Sequence, residues 1–325
     1  MVHATVVGSY PRVDDSPEGQ HLRRAIARWE RGDLPADGLR AVQVGVLKEV
    51  VREQAATGID LVTDGHVTWD DSQSHFASRL DGFEIGALER YFDTNTYYRR
   101  PRANGTVRWR SPITVDDYRE AVGASPAPVK AVVTGPYTLA ALSEGGTSET
   151  SPLMPDLAAA LGREIEALAA AGARDIQVDE PAFVRRTSLP KGYEDAAAKL
   201  VRGRGRARTW LSTYFGGVES FLDDLLSLPF DGFGFDLVQG ARTGEALRGR
   251  RIDRPVALGL VDARNTKLED PHVVAKQALA YRDHIPFEDS FLSPSNGLEF
   301  LPRAKAREKL RVLVSAAKLA SEGAQ

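Results

Sequence analysis

Short runs of β-forming residues alternate along the chain with longer segments in which apolar residues recur at helical spacing. Helical spacing predicts helices, for example at residues 16–32, 39–56, 155–171 and 302–320. The β-rich runs predict eight strands, at residues 4–7, 60–62, 129–133, 175–178, 207–211, 232–235, 256–259 and 291–292. This alternation favours a single (β/α)8 barrel, an α/β TIM barrel, over residues 1–325, although an open doubly wound sheet has the same pattern.

One segment interrupts the alternation. Residues 83–127 mix aromatic side chains with arginines, and Asn104-Gly105 in their middle is typical of a hairpin turn. We interpret the segment as a hairpin-like insertion in a strand-to-helix loop, lying across the mouth of the barrel. A surface excursion without contact to a ligand fits the same pattern. If the insertion covers an anionic cofactor, Arg100 and Arg102 are candidates to bind it.

Composition limits the classes of partner. Hydrophobic residues make up 42% of the chain and charged residues 27%, the balance of a folded protein with a sizeable core. A net charge of −3 gives no general attraction to nucleic acid or to anionic lipid. No apolar run approaches the ~20 residues needed to span a bilayer, and no leader pattern opens the sequence, so we expect a cytoplasmic protein.

Polar residues follow most of the predicted strands. In parallel α/β folds the carboxyl ends of the strands carry the functional site, so these residues are the candidates. Each segment alone is also ordinary turn chemistry, and only their coincidence indicates a pocket. The candidates are Gly8 and Ser9 after the first strand, Asp64 and His66 after the second, Asp179 and Glu180 after the fourth, Tyr214 after the fifth, Asp236 after the sixth and Asn296 after the eighth.

Three chemistries are open to these residues. The chain has no cysteine, which excludes thiolate-bound zinc, but His66 with nearby aspartates would suit a hard metal ion. His66 is also positioned as a general base would be. In the third reading, Asp179 pairs with the ammonium group of an amino acid, whose carboxylate is received by Ser9 and backbone amides. Nucleotide-binding glycine motifs are absent from the sequence.

Four segments in chain order resemble the cobalamin-independent methionine synthase family. They are Val-Gly-Ser-Tyr-Pro (7–11), Thr-Gly-Pro-Tyr-Thr-Leu (134–139), Ile-Gln-Val-Asp-Glu-Pro-Ala (176–182) and Asn-Gly-Leu (296–298). The resemblance implies a (β/α)8 fold and transfer of a methyl group from a methylated folate to homocysteine through a zinc-bound thiolate. The family's enzymes have two such barrels, and residues 213–216, 232–238 and 259–265 look closer to the amino-terminal one, which lacks the metal.

The sequence departs from the family at its zinc ligands. Where the resemblance implies two cysteines, a histidine and a glutamate, this chain has Leu211, Thr213, Asp236 and Asn296. Leucine cannot bind zinc, and threonine and asparagine are poor ligands for it. The departures therefore argue against zinc and against the zinc-thiolate mechanism.

The amino-acid site carries over better. The resemblance places Asp179 at the amino group of homocysteine or methionine and Ser9 at the carboxylate end, with His66 in place of an assisting glutamate. We therefore expect a methyltransferase that acts on such an amino acid without zinc, with His66 and Asp179 as catalytic residues and a methylated folate as a candidate cofactor. The alternative is a non-catalytic accessory barrel that partners a separate, zinc-bearing barrel.

Overall fold

The computed structural model describes residues 1–14, 16, 18–145 and 152–323. Its main sheet has seven parallel strands: β1 (His3–Ala4), β4 (Ala131–Thr134), β5 (Asp175–Asp179), β6 (Arg208–Thr213), β7 (Gly232–Asp236), β8 (Val256–Val261) and β9 (Phe291–Pro294). Their spatial order is β1-β9-β8-β7-β6-β5-β4. Their near-continuous apolar sequences suit strands that are covered on both faces.

The segment at residues 60–62 closes the sheet into a barrel. Leu61 pairs with Thr5 just after β1, and Val62 pairs with Val129 just before β4, each through a single parallel bridge. Residues 60–62 thus occupy the place of the second strand, as the sequence predicts. The predicted α/β barrel is confirmed.

Helices cover the outside of the barrel. The longer ones bury an apolar stripe, as α2 does with Val46, Leu47, Val50 and Val51. The helices are α1 (His21–Glu30), α2 (Ala36–Ala56), α3 (Ser72–Ala77), α4 (Val115–Ala124), α5 (Pro136–Ala141), α6 (Met154–Ala170), α7 (Tyr193–Val201), α8 (Leu222–Ser227), α9 (Ala241–Arg248), α10 (Pro271–Leu279) and α11 (Arg303–Glu322). Pro17, within the helix predicted at residues 16–32, lies outside the described residues.

An antiparallel hairpin interrupts the pattern between residues 60–62 and α4. It consists of β2 (Leu80–Arg90) and β3 (Tyr97–Trp109), so its turn lies at residues 91–96. The predicted turn at Asn104-Gly105 is wrong, because strand pairing continues on both sides of this pair. The insertion also ends earlier than residue 127, because α4 packs on α2 and α6 as one of the covering helices.

A bulge explains why Asn104-Gly105 does not turn the chain. Asp81 pairs with Arg108 and Phe83 with Ala103, so four residues of β3 lie opposite Gly82 alone. Gly82 has a φ of 81°, and a Cβ there would lie 2.5 Å from the Thr106 carbonyl oxygen. Only glycine accommodates both conditions, which fixes the bulge at this position.

A small apolar cluster lies near the amino ends of the barrel strands. Leu61, Trp210 and Phe291 pack together there, separate from the main core. The Trp210 and Phe291 rings meet edge to face with centroids 5.5 Å apart. Among the described residues, no helix is both long enough and apolar enough to cross a membrane.

Candidate active site

A cavity of about 370 Å³ opens at the carboxyl ends of the strands. This is the end at which (β/α)8 proteins carry their functional sites. The cavity is lined by residues 7–13 after β1, by Gly65, His66 and residues 69–72, by Tyr91, Thr96 and Tyr97 of the hairpin, and by Asp179, Tyr214, Gly297 and Glu299 near the ends of β5, β6 and β9. The hairpin tip therefore forms part of the cavity wall.

Asp179 is the buried carboxylate of this cavity. It is 5% exposed, and its Oδ1 accepts a hydrogen bond from Gln177 Nε2 at 2.6 Å. Its Oδ2 accepts one from the Tyr214 hydroxyl at 3.1 Å. Lys130 lies below, with its Nζ 2.6 Å from Gln177 Oε1. Burial raises the pKa of Asp179 to about 7, although Gln177, Lys130 and Tyr214 all favour the ionised form.

His66 packs tightly beside the loop after β1. Its Nδ1 lies 2.9 Å from Ser9 Oγ, and its ring stacks on Trp69 with centroids 3.7 Å apart. A Cβ on Gly8 would lie 2.6 Å from His66 Cε1, so glycine is needed there to admit the imidazole. Burial, followed by the charge of Lys130, lowers the pKa of His66 to about 3. The imidazole is therefore neutral and does not repel an ammonium group.

Two predicted binding residues brace loops instead. Glu180 is fully buried, and its carboxylate accepts hydrogen bonds from Tyr137 N at 2.9 Å and Thr138 N at 2.6 Å, which caps α5. Asp236 accepts from the backbone amides of three loop residues, Phe215, Val238 and Gln239. Neither carboxylate lines the cavity. Short acidic side chains at strand ends satisfy loop amides as readily as they bind ligands.

Asp64 and Asn296 also lie outside the cavity lining. Asp64 accepts a hydrogen bond from the backbone amide of His66 at 3.0 Å, which holds the loop that carries the imidazole. Asn296 is buried, and its Nδ2 donates to Ser295 Oγ at 3.1 Å. The structure therefore brings Gly8, Ser9, His66, Asp179 and Tyr214 together in the cavity lining. The other four strand-end candidates, Asp64, Glu180, Asp236 and Asn296, lie outside that lining.

The two candidate cofactor-binding arginines lie on the outer part of the hairpin. Arg100 pairs with Glu89 across the hairpin at 3.1 Å, and Arg102 pairs with Glu84. Neither arginine lines the cavity. Each already has a carboxylate partner on the neighbouring strand.

Glu299 is a cavity residue that the sequence reading missed. It lies on a 3-10 helix just after β9, three residues beyond Asn296. Its side chain is exposed at the mouth of the cavity, where the surrounding protein and then the nearby Asp179 carboxylate raise its pKa. Its place in the sequence could have indicated this role, because residues within about one helical turn after a strand still face the mouth of a barrel.

Zinc has no suitable donor set at the positions that the family resemblance indicates. Leu211 is apolar and fully buried, and both Asp236 oxygens are occupied by backbone amides. Thr213 Oγ1 and Asn296 Oδ1 have no hydrogen-bond partner, but they are weak zinc ligands. Within the described part of the chain, no group of three or more histidine, aspartate or glutamate residues is arranged to hold a metal ion.

Comparison with known proteins shows the family to which the chain belongs. A family model described as the amino-terminal domain of cobalamin-independent synthase matches residues 81–283. A methionine synthase of Saccharolobus solfataricus is 30% identical over 326 residues, covering 99% of this chain and 96% of the relative. The chain belongs to the cobalamin-independent methionine synthase family. A second family member, from Sulfurisphaera tokodaii, is 29% identical over 330 residues and is covered to 93% of its length.

Solved structures of the same family share the fold. A B12-independent methionine synthase from a Shewanella species, in complex with selenomethionine, superposes with a TM-score of 0.81 at 19% identity, covering 100% of this chain and 99% of the other. A structure described as a B12-independent methionine synthase of Listeria monocytogenes gives a TM-score of 0.75 at 20% identity, covering 99% of this chain and 98% of the other. The barrel and its hairpin are thus part of an architecture found in this family.

Proposed function

We propose that the chain is a methionine-synthase-like methyltransferase that binds a homocysteine- or methionine-like amino acid through Asp179. The observation that carries the proposal is the buried carboxylate of Asp179, held by Gln177 and Tyr214 at the wall of the cavity. A carboxylate oriented in this way suits an ammonium group. Family membership and the selenomethionine bound to the Shewanella relative support the same class of ligand.

The remaining residues complete a clamp for the amino acid. Ser9 and the backbone after Gly8 line the cavity near His66 and receive the ligand's carboxylate. His66 enters the proposal as a neutral group, because its lowered pKa makes it a poor proton acceptor at neutral pH. Its role is to hold the Ser9 hydroxyl, through the contact at Nδ1.

The proposed enzyme works without zinc. The residues at the family's ligand positions do not supply a zinc site, so no step is assigned to a metal. A methylated folate stays a candidate donor, although Arg100 and Arg102 are paired within the hairpin. The accessory-barrel alternative is less well supported, because the chain aligns with methionine synthases over 93–96% of their own length.

Isothermal titration calorimetry with methionine and homocysteine tests the proposal. We expect the wild type to bind one of them and Asp179→Asn to lose about tenfold or more in affinity, the range for a charged hydrogen bond. Asp253→Asn is the matched control, because Asp253 is exposed and distant from the cavity. The absence of heat with the wild type, or equal affinity in Asp179→Asn, would contradict the proposal.

A further inference from the structure

The cavity lining carries more carboxylates than cationic side chains. Arg12 donates to the carbonyl oxygens of Val67 and Trp69 and lies near Asp70. The Asp71 carboxylate already accepts hydrogen bonds, because it caps α3 and also accepts one from the backbone amide of Arg99. The two carboxylates that remain in the cavity lining are Asp179 and Glu299.

These two carboxylates have little positive charge opposite them. In the described residues, Lys130 is the cation that stabilises ionised Asp179, and it lies below the cavity rather than in it. Among the described residues, the charged side chain that acts on Glu299 is Asp179, whose carboxylate raises the pKa of Glu299 further. An amino acid brings one ammonium and one carboxylate, so it neutralises Asp179 but leaves Glu299 unpaired.

Two tyrosine rings stand beside this carboxylate pair. Tyr91 and Tyr214 both line the cavity, and the phenol of each is sensitive to the charges of Asp179 and Glu299. Burial raises both tyrosine pKa values well above the ordinary value, so both rings stay uncharged. Edge-to-face contacts with Phe215, at 6.0 Å for Tyr91 and 4.8 Å for Tyr214, fix the rings in place.

Neutral aromatic rings beside an unpaired carboxylate form a site for a cation that cannot donate hydrogen bonds. A methylated onium centre is attracted by ring faces and by negative charge and needs no acceptor atoms, unlike a primary ammonium. We propose that the ligand of this cavity is a methylsulfonium amino acid, with its ammonium at Asp179 and its sulfonium centre facing Glu299, Tyr91 and Tyr214. This inference rests on the proposed function and names its substrate class.

Such a ligand supplies the methyl group itself. When a thiolate attacks the methyl carbon, a new sulfur–carbon bond forms and the sulfonium sulfur–carbon bond breaks, with its electron pair left on the departing sulfur. A thiol and a sulfonium thereby give two neutral thioethers, and the thiol's proton leaves to solvent. The reaction needs neither a metal nor a folate, which agrees with the missing zinc ligands.

The test compares S-methylmethionine with methionine, which differ by one methyl group and one positive charge. Calorimetry at pH 8 should show that the wild type binds S-methylmethionine at least about tenfold more tightly. Glu299→Gln should bring this ratio close to one, mainly by weakening the binding of S-methylmethionine. Glu322→Gln, at the exposed end of α11, is the matched control and should keep the wild-type ratio.

The two proposals fail in different ways. If neither compound binds the wild type, the proposed function is wrong and the inference falls with it. If methionine binds as tightly as S-methylmethionine, the proposed function stands and the sulfonium inference is overturned. A wild-type ratio that persists in Glu299→Gln, with an unchanged melting temperature, also overturns the assignment of Glu299.

Discussion

At the scale of single residues, Lys130 determines the orientation of the hydrogen bond that holds the Asp179 carboxylate. The Lys130 ammonium is only a donor, so it must face the amide oxygen of Gln177, at 2.6 Å. The amide nitrogen of Gln177 is thereby directed to Asp179 Oδ1. A buried cation that never touches the ligand thus fixes the orientation of the group that we propose to bind it.

Lys130→Met should show this indirect role. Without the cation and the oriented amide, the ionised form of Asp179 loses stabilisation, so its pKa rises. The pH midpoint of methionine binding should therefore move to higher pH by about one pH unit. Calorimetric titrations across pH 6–9 measure it, with the exposed Lys191→Met as control. An unchanged pH midpoint of methionine binding would show that Lys130 contributes only to packing inside the barrel.

The carboxylate pair also predicts how selectivity depends on pH. Burial raises the pKa of Asp179 to about 7, and the pKa of the exposed Glu299 is also raised, whereas burial lowers the pKa of His66 to about 3 and raises the pKa of Tyr91 and Tyr214 well above the ordinary value. A cationic ligand favours the ionised carboxylates, so its affinity rises with pH through 7. The preference for S-methylmethionine over methionine should thus shrink from pH 8 to pH 6. A constant ratio in calorimetry would argue against Glu299 as the selective group.

The sequence predicts part of this site for a clear reason. Ser9, His66, Asp179 and Tyr214 follow strands directly, and the barrel brings all strand ends to one rim. Glu180 and Asp236 follow strands equally directly, yet their carboxylates accept loop amides. The choice between a ligand and a backbone amide depends on loop conformation, which residue order does not encode in any simple way.

At the scale of elements, the hairpin tip is fastened to the far rim of the barrel. Arg185 lies 4.3 Å over the Phe92 ring, and Phe92 contacts Phe215 with centroids 5.3 Å apart. Arg264 donates to the carbonyl oxygen of Asp93. Phe92 itself has a φ of 50°, a conformation that costs energy for a residue with a side chain. The tip is held by side-chain contacts rather than by backbone preference.

Phe92→Ala should loosen this tip. Loss of the ring removes its contacts with Arg185 and Phe215, so the wall of the cavity opens more often and methionine dissociates several-fold faster. Stopped-flow fluorescence follows the dissociation rate. Leu88→Ala is the control, because Leu88 is 62% exposed on the same hairpin. Equal rates in all three proteins would mean that the tip does not limit exchange.

The hairpin also shows where local patterns mislead. Asn104-Gly105 is a strong turn signal, but the turn lies at residues 91–96. The pairing of Leu80–Arg90 along β3 on both sides of the signal outweighs the local preference, and Gly82 absorbs the extra residues in a bulge. Long-range pairing of this kind overrides turn propensity.

At the scale of the whole molecule, the barrel was predictable because its alternation repeats around the full circle. Even residues 60–62, which make only single bridges, were recognisable from their place in the series. What the repeat does not specify is the metal content, because that depends on four particular side chains. We propose that Leu211, Thr213, Asp236 and Asn296, which lie where the resemblance implies the zinc ligands, leave the metal site incomplete without altering the fold.

Metal analysis tests that departure. We expect protein purified without chelators to contain far less than one zinc ion per chain, because the described residues at the strand ends include no donor set for it. Inductively coupled plasma mass spectrometry measures the content, and added Zn²⁺ should leave the melting temperature unchanged. Stoichiometric zinc, or a clear stabilisation by Zn²⁺, would show that other residues of the chain replace the family's ligands.

The place of the hairpin tip in the cavity wall bears on how a ligand reaches Asp179. The cavity opens at the carboxyl ends of the strands, whereas the apolar cluster of Leu61, Trp210 and Phe291 lies near their amino ends. Under the proposed function we therefore expect a ligand to enter and to leave on the side of the hairpin tip. A bound product then has to depart before the next ligand takes its place.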